Sequence, residues 1–225
     1  MRIDIWSDVV CPWCYVGKRR FEKALDAFPH RDEVEVVWHS FQLDPSAPAR
    51  PTETATQMLS RKYGMSPAEA AQAQSQVIAL AAAEGMEWQH EQSLHLNTLD
   101  AHRLLHLAAR SGRQEALKEA LLHAYFGEAR NLADHEELRR IALEAGLDAV
   151  RVDEVLASTE FADEVDADVR QAAAYGATGV PFYVVDQRYG VSGAQPVELF
   201  AQVLEKAWAD ARHDGSSEPS GHPAH

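Results

Sequence analysis

Cysteine is scarce in this sequence, and that scarcity restricts the chemistry open to the chain. The 225 residues contain two cysteines, both within the segment Cys11-Pro12-Trp13-Cys14. A scaffold held together by disulfides needs several pairs, so that class of protein is excluded. A structural zinc site needs about four ligands, and without a second Cys-x-x-Cys segment it would have to recruit histidines. One pair at this spacing is typical of a redox-active dithiol, with a zinc half-site and two inert buried thiols as the alternatives.

Basic residues and long apolar runs are also few. The chain has 35 acidic against 21 basic residues and a net charge of −14 at pH 7, which argues against nucleic acid or an anionic membrane as partner. No stretch reaches the roughly 18 uncharged apolar residues of a membrane helix. The first residues include Asp4 and Asp8 and no basic cluster, unlike a signal peptide. We therefore expect a cytoplasmic protein, and in that compartment a cysteine pair is more often catalytic than structural.

The cysteine pair is predicted to lie where a strand turns into a helix. Residues 2–7 have the apolar content of a buried strand, and residues 12–28 carry apolar side chains at helical spacing. Pro12 suits the first helical position. A thiol at this point faces unpaired N–H groups and the positive end of the helix dipole, which lower its pKa. Cys11 is thus the predicted nucleophile, and Cys14, one turn later, is the resolving thiol.

The first half of the chain predicts a strand–helix–strand unit followed by an insertion. Residues 34–41 are rich in β-branched and aromatic side chains, which predicts a second strand, parallel to the first. Three prolines, at positions 45, 48 and 51, then mark a boundary. From there, helix-forming residues recur at three- and four-residue spacing without a strand signal. We therefore assign residues 51–162 to an inserted all-helical domain.

Strand signals return near the C-terminus, after a helix predicted at 163–175. Two apolar runs flank Asp186-Gln187, a spacing typical of a β-hairpin, and an amphipathic helix follows them. Residues 1–50 and 163–212 are expected to form one α/β domain. Residues 213–225 consist mainly of His, Gly, Ser and Pro without periodicity, which predicts a disordered tail.

Four segments carry a family likeness: Ser7–Cys14, Asn97–Leu104, Thr178–Phe182 and Val191–Pro196. In this order, around a helical insertion, they resemble the DsbA-like superfamily of thioredoxin-fold proteins over about residues 1–210. The closer likeness is to the FrnE-type oxidoreductases, which are related to the 2-hydroxychromene-2-carboxylate isomerases and the kappa-class glutathione transferases. The resemblance implies an α/β thioredoxin-like fold with an inserted all-helical domain.

The resemblance also implies roles for individual residues. Pro181 matches the family's cis-proline, which would let the backbone of Val180 bind an extended substrate opposite the dithiol. Family members often carry a buried acid six residues before the first cysteine, but Ile5 stands there in this chain. Asp8 is the acid that we expect to accept a proton near Cys14, with a solvated turn residue as the alternative. Trp13, between the cysteines, is predicted to form an exposed platform for substrate, or to cover the helix start.

The insertion supplies further candidates. By resemblance, Asn97, Thr98 and His102 belong to a segment that can overhang the dithiol and bind glutathione or a small aromatic molecule, with helix capping as the alternative. His102 also shares a predicted helix face with His95 and His106, and a metal cluster there is set against a solvated histidine face. We predict no metal site and no cofactor beyond the Cys11–Cys14 disulfide itself.

These observations predict a thiol:disulfide oxidoreductase or isomerase that works through Cys11, Cys14 and a cis-proline. Its partner would be a protein or small molecule that bears a disulfide or a dithiol, with glutathione as a further candidate. The alternative enzyme is a glutathione-dependent isomerase or transferase acting on a small aromatic or polyketide-like substrate, for which Cys14 would be dispensable. A third hypothesis, which is not enzymatic, is a zinc-binding or chaperone-like module.

Overall fold

A four-stranded sheet forms the centre of the first unit. The computed structural model describes residues 1–89 and 92–215. The strands, in spatial order β2-β1-β3-β4, are β1 (Arg2–Ser7), β2 (Glu35–Ser40), β3 (Phe182–Val185) and β4 (Tyr189–Ser192). β1 runs parallel to β2 and antiparallel to β3, and β3 is antiparallel to β4. The first strand along the chain thus becomes a central strand, which places the segment that follows it in the interior.

Helices cover both faces of this sheet. On one face lie α1 (Pro12–Asp26) and α9 (Val197–Gly215), and on the other lies α8 (Ala162–Ala174). Side chains alternate along a strand, so Ile3 and Ile5 of β1 join the core under α1 and α9, whereas Trp6 packs with α8.

In the described part of the chain between β2 and α8, six helices form the helical insertion: α2 (Ala55–Tyr63), α3 (Pro67–Ala83), α4 (Leu99–Arg110), α5 (Gln114–Phe126), α6 (His135–Glu144) and α7 (Ala149–Leu156). The first two have capping boxes, in which Thr54 and Ser66 accept hydrogen bonds from the backbone three residues later. Gly64 ends α2 in the left-handed region, at φ 65°, where glycine is favoured.

The helical insertion and the sheet unit share a core beside the cysteine pair. Val9, Tyr15 and Val16, which flank or follow the dithiol, are buried among the apolar side chains of α4 and α5. Tyr15 also stacks on Trp88, with ring centroids 5.9 Å apart. The start of α1 is therefore the place where the two parts of the chain meet.

The fold class is confirmed: the structure is α/β, with a parallel strand–helix–strand unit, a helical insertion and a C-terminal hairpin. Asp186 and Gln187 have positive φ angles of 46° and 57° and turn the predicted hairpin. One detail differs. Helix α9 continues to Gly215, into the predicted tail, of which residues 216–225 lie outside the described part.

Candidate active site at the junction of the two units

The two cysteines occupy the start of α1, as predicted. Cys11 is the N-cap residue, with Pro12 at the first helical position. The backbone N–H of Cys14 donates to the carbonyl oxygen of Cys11 at 3.0 Å. Both side chains are free thiols and both are buried, with exposed fractions of 3% for Cys11 and 1% for Cys14. Access to either sulfur is therefore controlled by the residues around them.

The Val180–Pro181 segment closes one side of the pair. The peptide bond between these residues is cis, as the family resemblance implies. The Sγ of Cys11 donates to the carbonyl oxygen of Val180 at 3.6 Å. Gly17, which sequence reasoning missed, makes this approach feasible: a Cβ there would lie 2.9 Å from the Pro181 ring and 2.7 Å from the hydroxyl of Tyr183. A side chain at position 17 would push the proline loop away from the dithiol.

Titration of the pair differs from the expectation. The sequence predicts a lowered pKa for Cys11 at a helix start, but the hydrogen bond with Cys14, together with burial, raises the pKa of the Cys11 thiol well above its ordinary value. Two interacting thiols titrate as a pair, and a negative charge on one opposes ionisation of the other. The pair therefore holds its last proton tightly in this closed arrangement.

Asp8, the predicted proton acceptor, is held in a buried network. Its carboxylate accepts hydrogen bonds from the backbone N–H groups of Val9 at 2.7 Å and Leu43 at 2.9 Å, and Nε2 of His102 lies 3.1 Å from it. Burial raises the pKa of Asp8, but the bonds from His102 and Leu43 and the charge of Lys118 outweigh it and hold that pKa below its usual value. This makes Asp8 a weak base that ties the dithiol loop to α4.

A buried lysine that sequence reasoning missed interacts electrostatically with the pair. Lys118 of α5 is 1% exposed, and its Nζ donates to the carbonyl oxygen of Ser7 at 3.3 Å and lies 5.6 Å from the ring centroid of Trp38. Among the described residues, no carboxylate forms a salt bridge with it. Burial lowers the pKa of Lys118, while negative charge on Cys14 and on Asp8 raises it. Ile5 provides no ionisable group near the dithiol. Lys118, from the helical insertion, provides one instead.

One signal in the sequence points to Lys118. It precedes Leu121, Leu122 and Tyr125 by three, four and seven residues, which is the spacing of one helical face, and all three of those side chains are buried. A lysine on the apolar face of an amphipathic helix is rarely buried without a partner. The position could therefore have been marked as unusual before its neighbours were known.

The remaining candidates lie around the mouth of the site. Trp13 is 42% exposed beside the pair. Asn97 donates from its side chain to the carbonyl oxygens of Pro45 and Ala47, at 3.0 and 3.2 Å, and accepts from the N–H of Leu99. It therefore positions the 45–47 segment and the start of α4.

A cavity of about 610 Å³ opens directly beside Cys11. Cys11, Trp13 and Val180 line it, together with side chains of α2 and α3. Thr98 and Asp8 also contribute to the lining, whereas His102 is buried behind Asp8. A cavity of this size is typical of small-molecule sites.

The predicted histidine cluster does not converge on one point. His95, His102 and His106 pair separately, with Asp44, Asp8 and Asp168, at 3.1 Å each. Among the described residues, the group with metal-compatible geometry is Glu22, Glu115 and Glu119. The ammonium of Lys18 lies between those three carboxylates and forms a salt bridge with each, so a cation already neutralises that group.

Comparison with known proteins agrees with this architecture. The family described as a DsbA-like thioredoxin domain matches residues 2–205. The crystal structure of a probable DsbA oxidoreductase from Streptomyces coelicolor is 51% identical, with a TM-score of 0.90 over 99% of this chain and 94% of that one. The uncharacterised protein YwbO of Bacillus subtilis is 27% identical over 206 residues, which are 91% of this chain and 96% of YwbO.

A more distant solved structure shares the fold. The cytosolic disulfide reductase DsbM of Pseudomonas aeruginosa, solved with GSH, is 15% identical, with a TM-score of 0.64 over 93% of this chain and all of that one. No helix in the described residues is both long and apolar enough to cross a membrane. Because the family match extends over nearly the whole chain, this protein belongs to the DsbA-like thioredoxin-domain family.

Proposed function

We propose that the protein is a thiol:disulfide oxidoreductase or isomerase that exchanges disulfides through Cys11 and Cys14. The observation that carries the proposal is the contact between the Cys11 sulfur and the carbonyl oxygen of Val180 at the end of an open cavity. A substrate that pairs with the backbone of Val180 would place its own sulfur next to the Cys11 sulfur. The family membership and the FrnE-type motifs support the same chemistry, and the cytosolic relative DsbM supports a cytoplasmic location.

The exchange proceeds in two balanced steps. Cys11 loses its proton to solvent and its thiolate attacks the nearer sulfur of a substrate disulfide. The substrate S–S bond breaks, and the farther sulfur leaves as a thiolate that takes a proton from solvent. Cys14 then attacks the Cys11 sulfur and expels the second substrate thiol. The substrate gains two electrons, and the protein loses two electrons when the Cys11–Cys14 disulfide forms. The same steps in reverse oxidise a dithiol.

Lys118 acts on the second step. The thiol of Cys14 is buried and must lose its proton before it can attack. Lys118 and Cys14 interact electrostatically, so an ammonium on Lys118 would stabilise the Cys14 thiolate across a medium of low polarity.

Trapping the mixed disulfide tests the proposal. Cys14→Ser cannot complete the second step, so a substrate should remain bonded to Cys11 and appear as added mass in the intact protein. Cys11→Ser is the matched control and should trap nothing. In the unchanged protein, a glutathione redox titration should show a two-electron transition between about −270 and −120 mV, the range of known Cys-x-x-Cys proteins.

The second candidate is a glutathione-dependent isomerase or transferase acting on a small aromatic substrate. The aromatic side chains of Trp13, Tyr63 and Tyr125 around the cavity beside Cys11 favour it, as does the glutathione in the DsbM structure. Under this alternative Cys14 is dispensable. Full turnover by Cys14→Ser, without a trapped adduct, would therefore replace the dithiol mechanism with the glutathione-dependent one.

A further inference from the structure

The cavity beside Cys11 has an apolar wall and an apolar mouth. Met58, Leu59, Val77 and Leu80, from the α2–α3 pair, line its wall. Six large apolar side chains are exposed in the described part of the chain, and three of them, Trp13, Leu43 and Tyr63, border this cavity. Exposed apolar side chains gathered at one opening mark a binding site, whereas scattered ones carry no meaning.

Charge is sparse in the same cavity. Besides Cys11 and two tyrosines, the ionisable residues described in its lining are Asp8, Asp44, His95 and Lys62. Asp8 is buried and accepts hydrogen bonds from two backbone N–H groups, and the carboxylate of Asp44 pairs with His95 at 3.1 Å. Among the lining residues that the structure describes, Lys62, at an exposed position of α2, is the one full cation, and none is arginine.

This balance disfavours glutathione disulfide as the occupant. Glutathione carries more carboxylates than ammonium groups, and binding it would need several cationic or N–H partners. Placing an unpaired carboxylate against an apolar wall is unfavourable, because the charge loses its hydration without gaining a partner. Burying a neutral apolar group there is favourable instead.

We propose that the substrates of this site are neutral, mainly apolar small-molecule disulfides that enter the α2–α3 cavity and present one sulfur to Cys11. The inference rests on the proposed function and names its substrate class. The electron balance is that of the exchange above: the small disulfide is reduced to two thiols while Cys11 and Cys14 form a disulfide. An external dithiol such as dithiothreitol then restores the reduced pair.

A cavity-filling variant tests this assignment with two aromatic disulfides of different charge. Dithiodipyridine is neutral and dithiobis(nitrobenzoate) is anionic, and both release a coloured thiol. Each rate with the reduced protein is divided by the rate of the same probe with dithiothreitol, which removes differences in intrinsic reactivity. Glutathione disulfide is the third probe.

Val77→Trp should fill the cavity and slow the reaction with dithiodipyridine about tenfold or more, equivalent to about 1.4 kcal/mol of lost binding. It should leave glutathione disulfide unchanged. Ala79→Trp is the matched control, because this exposed residue of the same helix does not line the cavity, and it should slow none of the probes.

A second variant keeps the test decisive if Val77→Trp does not fold. Met58→Lys adds a cation to the wall and should raise the rate for the anionic probe relative to the neutral one about threefold or more. If the ratio of the anionic to the neutral probe rate is unchanged in Met58→Lys, the assignment is overturned. It is also overturned if Val77→Trp slows all the probes equally, or slows none of them. If the unaltered protein turns over no disulfide at all, the proposed function fails instead, and that result is distinct from these.

Discussion

Two buried lysines near the same indole ring show two ways in which this protein accommodates an internal charge. Lys18 of α1 and Lys118 of α5 are each 1% exposed, and their Nζ atoms lie 6.0 and 5.6 Å from the ring centroid of Trp38. Lys18 contacts Glu22, with Glu115 at 2.6 Å and Glu119 at 2.8 Å. Lys118 has one carbonyl oxygen and no salt bridge among the described residues.

The electrostatic consequences are opposite. Burial alone would lower the pKa of both amines, but Glu115 and Glu119 more than offset it for Lys18, whose pKa is raised. For Lys118 the burial effect prevails and the pKa is lowered, although negative charge on Cys14 opposes it. A compensated buried charge supports the fold, whereas an uncompensated one beside a reactive group is typical of functional sites. The difference assigns Lys18 to stability and Lys118 to the dithiol.

The largest expected effect is on stability. Lys18→Met removes the cation from three carboxylates and should lower the free energy of unfolding by about 3 kcal/mol, the lower end for a broken buried pair because those glutamates are partly exposed to water. Lys118→Met removes an uncompensated charge and should leave the free energy of unfolding unchanged or raise it. Urea titrations with equal m-values measure both. Equal losses in the two variants would contradict the comparison.

The next effect is on catalysis and has the opposite pattern. Lys118→Met should slow the attack of Cys14 on a mixed disulfide about tenfold, since it removes about 1.4 kcal/mol of charge stabilisation. The pH profile of that step should also lose the titration that Lys118 contributes. Release of substrate from a preformed mixed disulfide, followed from about pH 6 to pH 9, gives the rate. Lys62→Met, at the edge of the cavity, is the control and should keep the normal profile; an unchanged profile in Lys118→Met would show that this lysine has no role in the exchange.

The sequence was sufficient for features that depend on neighbouring residues. The dithiol at a helix start and the hairpin at Asp186-Gln187 each follow from local spacing, and each is present. Family resemblance supplied the cis bond before Pro181. The placement of Lys118 near the dithiol could not be predicted in that way. It depends on how α5 packs against the end of β1, more than a hundred residues away in the chain.

Other features of the site differ from the sequence-based predictions because those predictions also leave out side-chain contacts. The pKa of Cys11 is raised by the hydrogen bond with Cys14 and by burial, and a helix-start argument contains neither effect. Asp8 is buried because α4 brings His102 against it. Position 17 needs glycine because Pro181 and Tyr183 approach it from the far end of the chain. For Asp8 and for position 17 the deciding neighbour is distant in sequence, and only packing brings it near.

The smallest expected effect concerns two buried histidines whose pKa values shift in opposite directions, as those of the two lysines do. His39 lies between Asp4 at 2.7 Å and Asp168 at 2.8 Å. Burial lowers its pKa, but the two carboxylates more than offset that, and the pKa of His39 is raised. His102 pairs with Asp8 alone, its Nδ1 lacks a hydrogen-bond partner among the described residues, and burial lowers its pKa.

Stability should therefore depend on pH with opposite signs at the two sites. A raised histidine pKa contributes stability that is fully present below about pH 6.5 and lost as the pH rises through the folded-state pKa. A lowered one penalises the folded state as the pH falls below about 6.5. His39→Gln should thus cost most at about pH 5.5 and least at about pH 8.5, whereas the cost of His102→Gln should shrink toward acid. Urea midpoints at both pH values measure this. The same pH dependence in both variants would contradict the inference that the two carboxylates beside His39 make its pKa shift opposite to that of His102.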